Sequence, residues 1–196
     1  MLTEPKMRTF NIPNTLTWFR IIIIPFFLVA FYMPFPYSRI VAAFLFLLAA
    51  LTDWLDGFLA RQLKQSSAFG AFLDPVADKL MVAAALILLV SQYPNPWMAV
   101  PGIVIVSREI VISALREWMA ELGKRAVVKV SWLGKVKTAV QMIALLVLIS
   151  QPTGMTPVII IGFVLMYVAV LLTLWSMLVY LFFAWKVLRN EPNLLN

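Results

Sequence analysis

Six apolar runs, each about long enough to cross a bilayer, leave this chain one environment in which to fold. A span needs roughly 20 apolar residues, with a range of about 17–25. Such runs fall at about 16–32, 39–60, 75–92, 97–119, 133–150 and 157–188. Pro13 opens the first and Pro25 punctuates it, and the last is long enough to tilt or to extend past the lipid. Hydrophobic residues make up 63% of the chain and charged residues 13%, against about 25% charged in an average soluble domain. A surface this apolar cannot face water. The expectation is an all-α, polytopic membrane protein with six transmembrane helices, forming one membrane-embedded domain over residues 1–196.

The polar residues narrow the chemistry. The chain has no cysteine and no histidine, which removes disulfides, thiolate metal sites and the commonest general base. Acid–base or metal chemistry must then use carboxylates, lysine, tyrosine or backbone. The net charge of +7 suits anionic lipid headgroups or an anionic substrate. A nucleic-acid partner is disfavoured, because no large soluble face remains. Basic residues cluster on alternate connections: Lys6 and Arg8, then Arg61 and Lys64, then Arg116, Lys124, Arg125, Lys129, Lys135 and Lys137, then Lys186 and Arg189. The opposite turns, "YMPFPYSR", "SQYPNPW" and "SQPTGMTP", share one basic residue, Arg39. The asymmetry predicts that both termini face the cytoplasm. The first apolar run lacks a small-residue cleavage site and reads as a retained span. Within 117–137, mixed charge, Val, Trp and Leu predict an interfacial helix.

Against this background, four aspartates stand out: Asp53 and Asp56 near the end of the second run, Asp74 and Asp78 at the start of the third. Residues three or four apart share a helix face, so each pair projects from one side. The short polar turn "RQLKQSSAFG" joins the two helices and allows the pairs to face one another. Converging carboxylates repel, and protons or cations relieve the repulsion. Hard divalent cations such as Mg²⁺ and Mn²⁺ prefer oxygen ligands, and two such ions are a known arrangement for phosphoryl transfer. Gly57, Ala60 and Gly70 leave room for a bulky group beside the backbone, and Arg61 is placed to meet a phosphate. Taken singly, an aspartate could cap a helix or pair with Arg61, Lys64 or Lys79, with Asp74 before Pro75 the best N-cap candidate. Four together favour function, since intramembrane carboxylates are rare.

The pattern Asp53-x2-Asp56-Gly57-x2-Ala60-Arg61-x8-Gly70-x3-Asp74-x3-Asp78 resembles the signature of the CDP-alcohol phosphotransferases at every fixed position. That resemblance implies a six-helix membrane enzyme, a homodimer in the bacterial cytoplasmic (inner) membrane with its active site on the cytoplasmic side. It implies displacement of CMP from a CDP-linked donor by an alcohol, with two divalent cations, Mg²⁺ or Mn²⁺, as cofactors. Carried over, Asp53, Asp56, Asp74 and Asp78 ligate metal, and Asp78 also serves as the catalytic base. Gly57, Ala60, Arg61 and Gly70 line the nucleotide and diphosphate site.

Three further stretches bear on the substrates. In "NIPNTLTWFRIIIIP", Asn14, Thr17 and Arg20 recur at helical spacing. They read either as capping residues or as a polar stripe aimed at the nucleotide or the cavity mouth. In "SREIVISALREWMAELGKR", Arg108 and Glu109 lie deep in an apolar run, with Arg116 eight residues on. Their plain reading is internal pairing of an arginine with Glu109. In "SWLGKVKTAVQ", Lys135 and Lys137 stand near the mouth of the fifth span, where lysines also snorkel to headgroups. Together these cations could form a second anion pocket close to the aspartates, which points to a phosphorylated acceptor. The three stretches resemble the branch of the family that makes phosphatidylglycerophosphate. The implied partners are CDP-diacylglycerol, sn-glycerol 3-phosphate and membrane lipids, with Arg108, Arg116, Lys135 and Lys137 as candidates for the acceptor phosphate. Serine, inositol phosphate or phosphatidylglycerol are alternative acceptors. A divalent-cation transporter is the alternative class, disfavoured because the far-side turns hold no mirrored acidic cluster.

Overall fold

The computed structural model describes residues 12–63, 68–123, 132–152, 154 and 156–190. Within its helices, the side chains of 12–14, 54, 57–63, 68–69, 71, 132–133, 135, 187–188 and 190 fall outside the description. The described residues form six α-helices and no strand: α1 (Ile12–Tyr32), α2 (Ser38–Leu63), α3 (Ala68–Gln92), α4 (Pro96–Glu121), α5 (Trp132–Ser150) and α6 (Pro157–Asn190). Three stretches are long and apolar enough to cross a bilayer: Thr15–Tyr32, Pro96–Glu121 and Pro157–Lys186; Val136–Ser150 is a shorter apolar helix. Phe26, Phe44, Ile87, Leu171 and Trp185 are exposed. Large apolar side chains displayed this widely need a lipid exterior, and the chain is a membrane protein.

Helix ends follow local chemistry. Asn95 caps α4, its side-chain oxygen accepting from the Met98 N–H at 3.1 Å, with Pro96 at the first helical position. Thr156 does the same for α6, its hydroxyl accepting from the Ile159 N–H at 3.3 Å ahead of Pro157. At the end of α4, Gly123 takes φ 72° and donates its N–H to the Ala120 carbonyl at 3.1 Å, a left-handed cap suited to glycine. The start of α3 departs from expectation. Pro75 reads as a helix boundary, because the residue before a proline disfavours helical geometry. Here α3 begins at Ala68 and carries Pro75 inside it. Asp74 is thereby an interior helix residue rather than an N-cap. Residues 117–121 belong to α4, and 124–131 lie outside the described residues, so no interfacial helix is assigned there.

The chain resolves into two compact units, Met1–Leu89 with Ile149–Pro152, and Val90–Leu148 with Thr153–Asn196. In the first, α1 packs on α2. The buried stripe of α1 runs Thr17, Arg20, Ile23, Phe27, Ala30, Phe31, and that of α2 runs Ala42, Phe46, Ala49, Thr52, Asp56. Small alanines let the backbones approach. Phe27 fills the seam against Phe46, with ring centroids 6.0 Å apart. Arg39 closes one end, its guanidinium 3.7 Å from the Phe31 ring centroid. In α3 the stripe is Leu73, Ala77, Met81, Ala85 and Leu89.

In the second unit α4 packs on α6. Its buried residues Met98, Pro101, Ile105, Arg108, Ile112 and Met119 follow a three-four spacing, the seam pattern of packed helices. Arg108 sits squarely on that seam. Gly162 lets α6 close on α5: a Cβ added there would stand 2.7 Å from Leu148 Cδ2 and 2.8 Å from its Cγ. Gly162→Ala is therefore expected to destabilise the protein by about 1–3 kcal/mol, the cost of overpacking. A thermal melt in detergent checks it, and an unchanged midpoint would show that the Leu148 side chain yields to the added methyl without cost.

Candidate active site

The stripe positions of α1, α2 and α3 build the acid cluster. Asp56 falls on the buried face of α2, and Asp53 lies one turn before it. Asp74 and Asp78 each follow a buried residue of α3, Leu73 and Ala77, and so flank its buried face. Thr17 and Arg20, both on the buried stripe of α1, reach these acids. The Thr17 hydroxyl donates to Asp74 Oδ1. Arg20 Nη1 donates to Asp78 Oδ1 and stands 3.1 Å from Asp53 Oδ1, while Nη2 donates to Asp56 Oδ2. One α1 turn thus touches all four aspartates. The acids differ in exposure: the Asp56 side chain is 4% exposed, whereas those of Asp53 and Asp78 are 47% and 42% exposed. A buried charge needs a partner, and Arg20, 1% exposed, supplies it.

The sequence leaves Thr17 and Arg20 as capping residues or as part of a stripe aimed at the nucleotide or the cavity mouth; the structure turns both onto the aspartates. Gly70 is buried in α3, one turn before Asp74. Asn14, Gly57, Ala60, Arg61 and Lys135 lie outside the residues whose surroundings are described.

A divalent cation can be weighed against this geometry. The donors are carboxylate oxygens from two helices, the set hard cations prefer. Among the described residues, no three acidic side chains are arranged as they stand to hold a metal ion. The guanidinium of Arg20 is the cation among them, bonded to Asp56 and Asp78 and near Asp53. The donor chemistry therefore fits a metal, and the cation already there is organic.

The second unit carries a basic cluster. Arg108 Nη1 donates to Glu109 Oε1 at 2.6 Å, and Lys137 Nζ donates to the same oxygen at 3.0 Å. Arg108 Nη2 donates to Ser176 Oγ at 3.2 Å. Arg116 Nη2 is 3.4 Å from the Tyr180 hydroxyl, and its guanidinium lies 5.5 Å from the Tyr180 ring centroid. The structure thus brings Arg108 and Lys137 together on Glu109 and directs Arg116 to α6. Ser176 and Tyr180 are participants that sequence reasoning missed. Their signal was present: Thr173, Ser176 and Tyr180 place hydroxyls three and four residues apart along an otherwise apolar stretch of α6.

Glu109 is the only acid paired with Arg108 or Lys137 among the described residues. Glu109→Ala leaves both buried cations facing each other uncompensated, and is expected to cost about 3 kcal/mol. Adding Lys137→Met should recover part of that loss, measured as a double-mutant thermal-unfolding cycle. Strictly additive losses would show that Glu109 and Lys137 are uncoupled.

A helical membrane protein that gathers carboxylates of two helices on one guanidinium, and two buried cations on Glu109, concentrates charge among apolar helices, where charge is costly and usually functional. The chain belongs to the CDP-alcohol phosphatidyltransferase family, whose model matches residues 10–175. Three relatives, each named CDP-diacylglycerol–glycerol-3-phosphate 3-phosphatidyltransferase, show how far the similarity extends. The Salmonella typhimurium protein is 57% identical over 172 residues, 88% of this chain and 93% of the relative. The Sodalis glossinidius protein is 55% identical over 174 residues, 89% of this chain and 94% of the relative. The Yersinia enterocolitica protein is 54% identical over 182 residues, 93% of this chain and 98% of the relative.

Proposed function

We propose that the chain transfers a phosphatidyl group from CDP-diacylglycerol to sn-glycerol 3-phosphate, yielding phosphatidylglycerophosphate and CMP. The observation that carries this reading is more than half identity, along about nine-tenths of both chains, to relatives bearing that name. The convergence of the four signature aspartates on one α1 turn supports it.

In this reading the donor's acyl chains remain in the bilayer while its diphosphate enters the acid cluster. A free hydroxyl of glycerol 3-phosphate attacks the phosphorus that bears the diacylglycerol. A new P–O bond forms, the P–O bond to CMP breaks, and CMP leaves with the electron pair. Asp78, half-exposed at the edge of the cluster, takes the hydroxyl proton at its carboxylate. Asp53, Asp56, Asp74 and Asp78 would hold two divalent cations, Mg²⁺ or Mn²⁺, whose charge when bound lowers the cost of negative charge on the diphosphate and leaving group. Arg108, Arg116 and Lys137 bind the acceptor phosphate, Glu109 holds two of these cations in place, and Lys135 is assigned to the same task. Gly57, Ala60, Arg61, Gly70, Asn14 and Thr17 line the nucleotide side. All six helices span the cytoplasmic membrane of a bacterium, both termini face the cytoplasm, and the protein works as a homodimer.

Purified protein supplied with CDP-diacylglycerol and labelled glycerol 3-phosphate is expected to release CMP and label the lipid, and to stop when divalent metal is chelated. CMP release with serine or inositol phosphate, but not with glycerol 3-phosphate, would reassign the acceptor.

A further inference from the structure

The least expected group in the acid cluster is a base. Arg20 is 1% exposed and engages carboxylates from both α2 and α3, Asp56 and Asp78 by hydrogen bonds and Asp53 at 3.1 Å. Its Nε is buried and has no hydrogen-bond partner among the described residues. The fork is thus spent wholly through its two terminal nitrogens, and one donor is sacrificed to reach the acids. Three carboxylates make three mutual repulsions and three attractions to one guanidinium, comparable in size at comparable separations. Arg20 therefore offsets their repulsion but not the desolvation of Asp56 or the charge of Asp74. The cluster is held together, yet four carboxylates and one guanidinium still leave it formally at −3.

We propose that Arg20 is a resident counter-cation that competes with divalent metal for Asp53, Asp56 and Asp78. In metal-free protein it keeps α2 and α3 from being driven apart by their own acids. When metal binds, the guanidinium yields its carboxylate contacts. Arg20 is a positioning residue on this view: it presets the ligands and, by occupying them, sets a threshold of free metal below which the site stays closed. The inference rests on the metal-dependent reading above, and its test separates the two.

Mn²⁺ binding is measured by electron paramagnetic resonance on full-length protein in detergent without lipid substrate, alongside thermal unfolding with and without Mn²⁺. Arg20→Met is expected to bind Mn²⁺ about tenfold more tightly than wild type or better, since several charge-assisted contacts no longer compete. Its metal-free melting midpoint is expected to fall by several degrees and to be largely restored by Mn²⁺. Arg20→Lys, which keeps the charge but not the fork, should fall between the two in affinity; it decides the matter if the methionine variant does not fold. Equal Mn²⁺ affinity in wild type and either folded variant would overturn the competition while leaving metal dependence intact. No Mn²⁺ bound by any of the three, with wild type still releasing CMP in chelator, would overturn both.

Discussion

Asp78→Asn is expected to lower CMP release about 10³-fold, the scale of losing a positioned general base, with the protein still folded. Asparagine keeps the side chain's size and one carbonyl oxygen, so the Arg20 guanidinium retains an acceptor where it now meets Asp78 Oδ1. Arg20 also keeps Asp53 and Asp56, and the packing of Ala77 and Met81 on the buried face of α3 is untouched. What is lost is the capacity to accept a proton, together with the negative charge that Asp78 would offer a divalent cation. With no histidine in the chain, no ordinary near-neutral base stands ready to replace it. Single-turnover CMP release, read beside a thermal melt, separates the two effects. Turnover within tenfold of wild type would remove Asp78 from the base's role, whatever happened to stability.

Arg108→Ala is expected to raise the KM for glycerol 3-phosphate by about 30-fold or more, on the scale of losing charge-assisted hydrogen bonds to a phosphate. The KM for CDP-diacylglycerol should stay within about twofold, because a lost interaction specific to one substrate shows in that substrate's constant. The variant is expected to fold. Glu109 keeps Lys137 at 3.0 Å, and Ser176 keeps its bond to the Thr173 carbonyl at 2.9 Å. The emptied position on the α4 seam loses packing as well as charge, so a parallel Arg108→Met variant controls for volume. Equal rises in both KM values would point to a structural role for Arg108 on the α4–α6 seam, and the acceptor phosphate would then have to be sought at Arg116, Lys135 and Lys137.

Much of the fold was legible because its signals are local. The length of each apolar run gave six helices, and α1, α2, α4, α5 and α6 lie within a few residues of the expected 16–32, 39–60, 97–119, 133–150 and 157–188. The exception, α3, starts at Ala68 because a proline inside a helix forfeits a hydrogen bond without having to end it. The aspartate pairs were legible too, since three- and four-residue spacings fix a shared face. Spacing within a helix does not say which neighbour that face meets. Thr17 and Arg20 therefore stood out as a polar stripe, but their attachment to Asp74, Asp53, Asp56 and Asp78 depends on how α1 packs. The same limit hid Ser176 and Tyr180, whose partners lie more than 60 residues away in the chain. Glu109 shows the converse: its pairing with adjacent Arg108 was readable, and its second bond, to Lys137 on α5, was not.

The proposed phosphatidyl transfer requires that the carboxylates of α2 and α3 form one cation-binding centre that accepts the donor's diphosphate. Anomalous diffraction from crystals grown with Mn²⁺ and CDP-diacylglycerol tests it most directly. The expected result is manganese signal within bonding distance of Asp53, Asp56, Asp74 and Asp78, with the donor's diphosphate against it. Carboxylates still gathered on Arg20, with no manganese among them and the donor's diphosphate bound elsewhere, would contradict it.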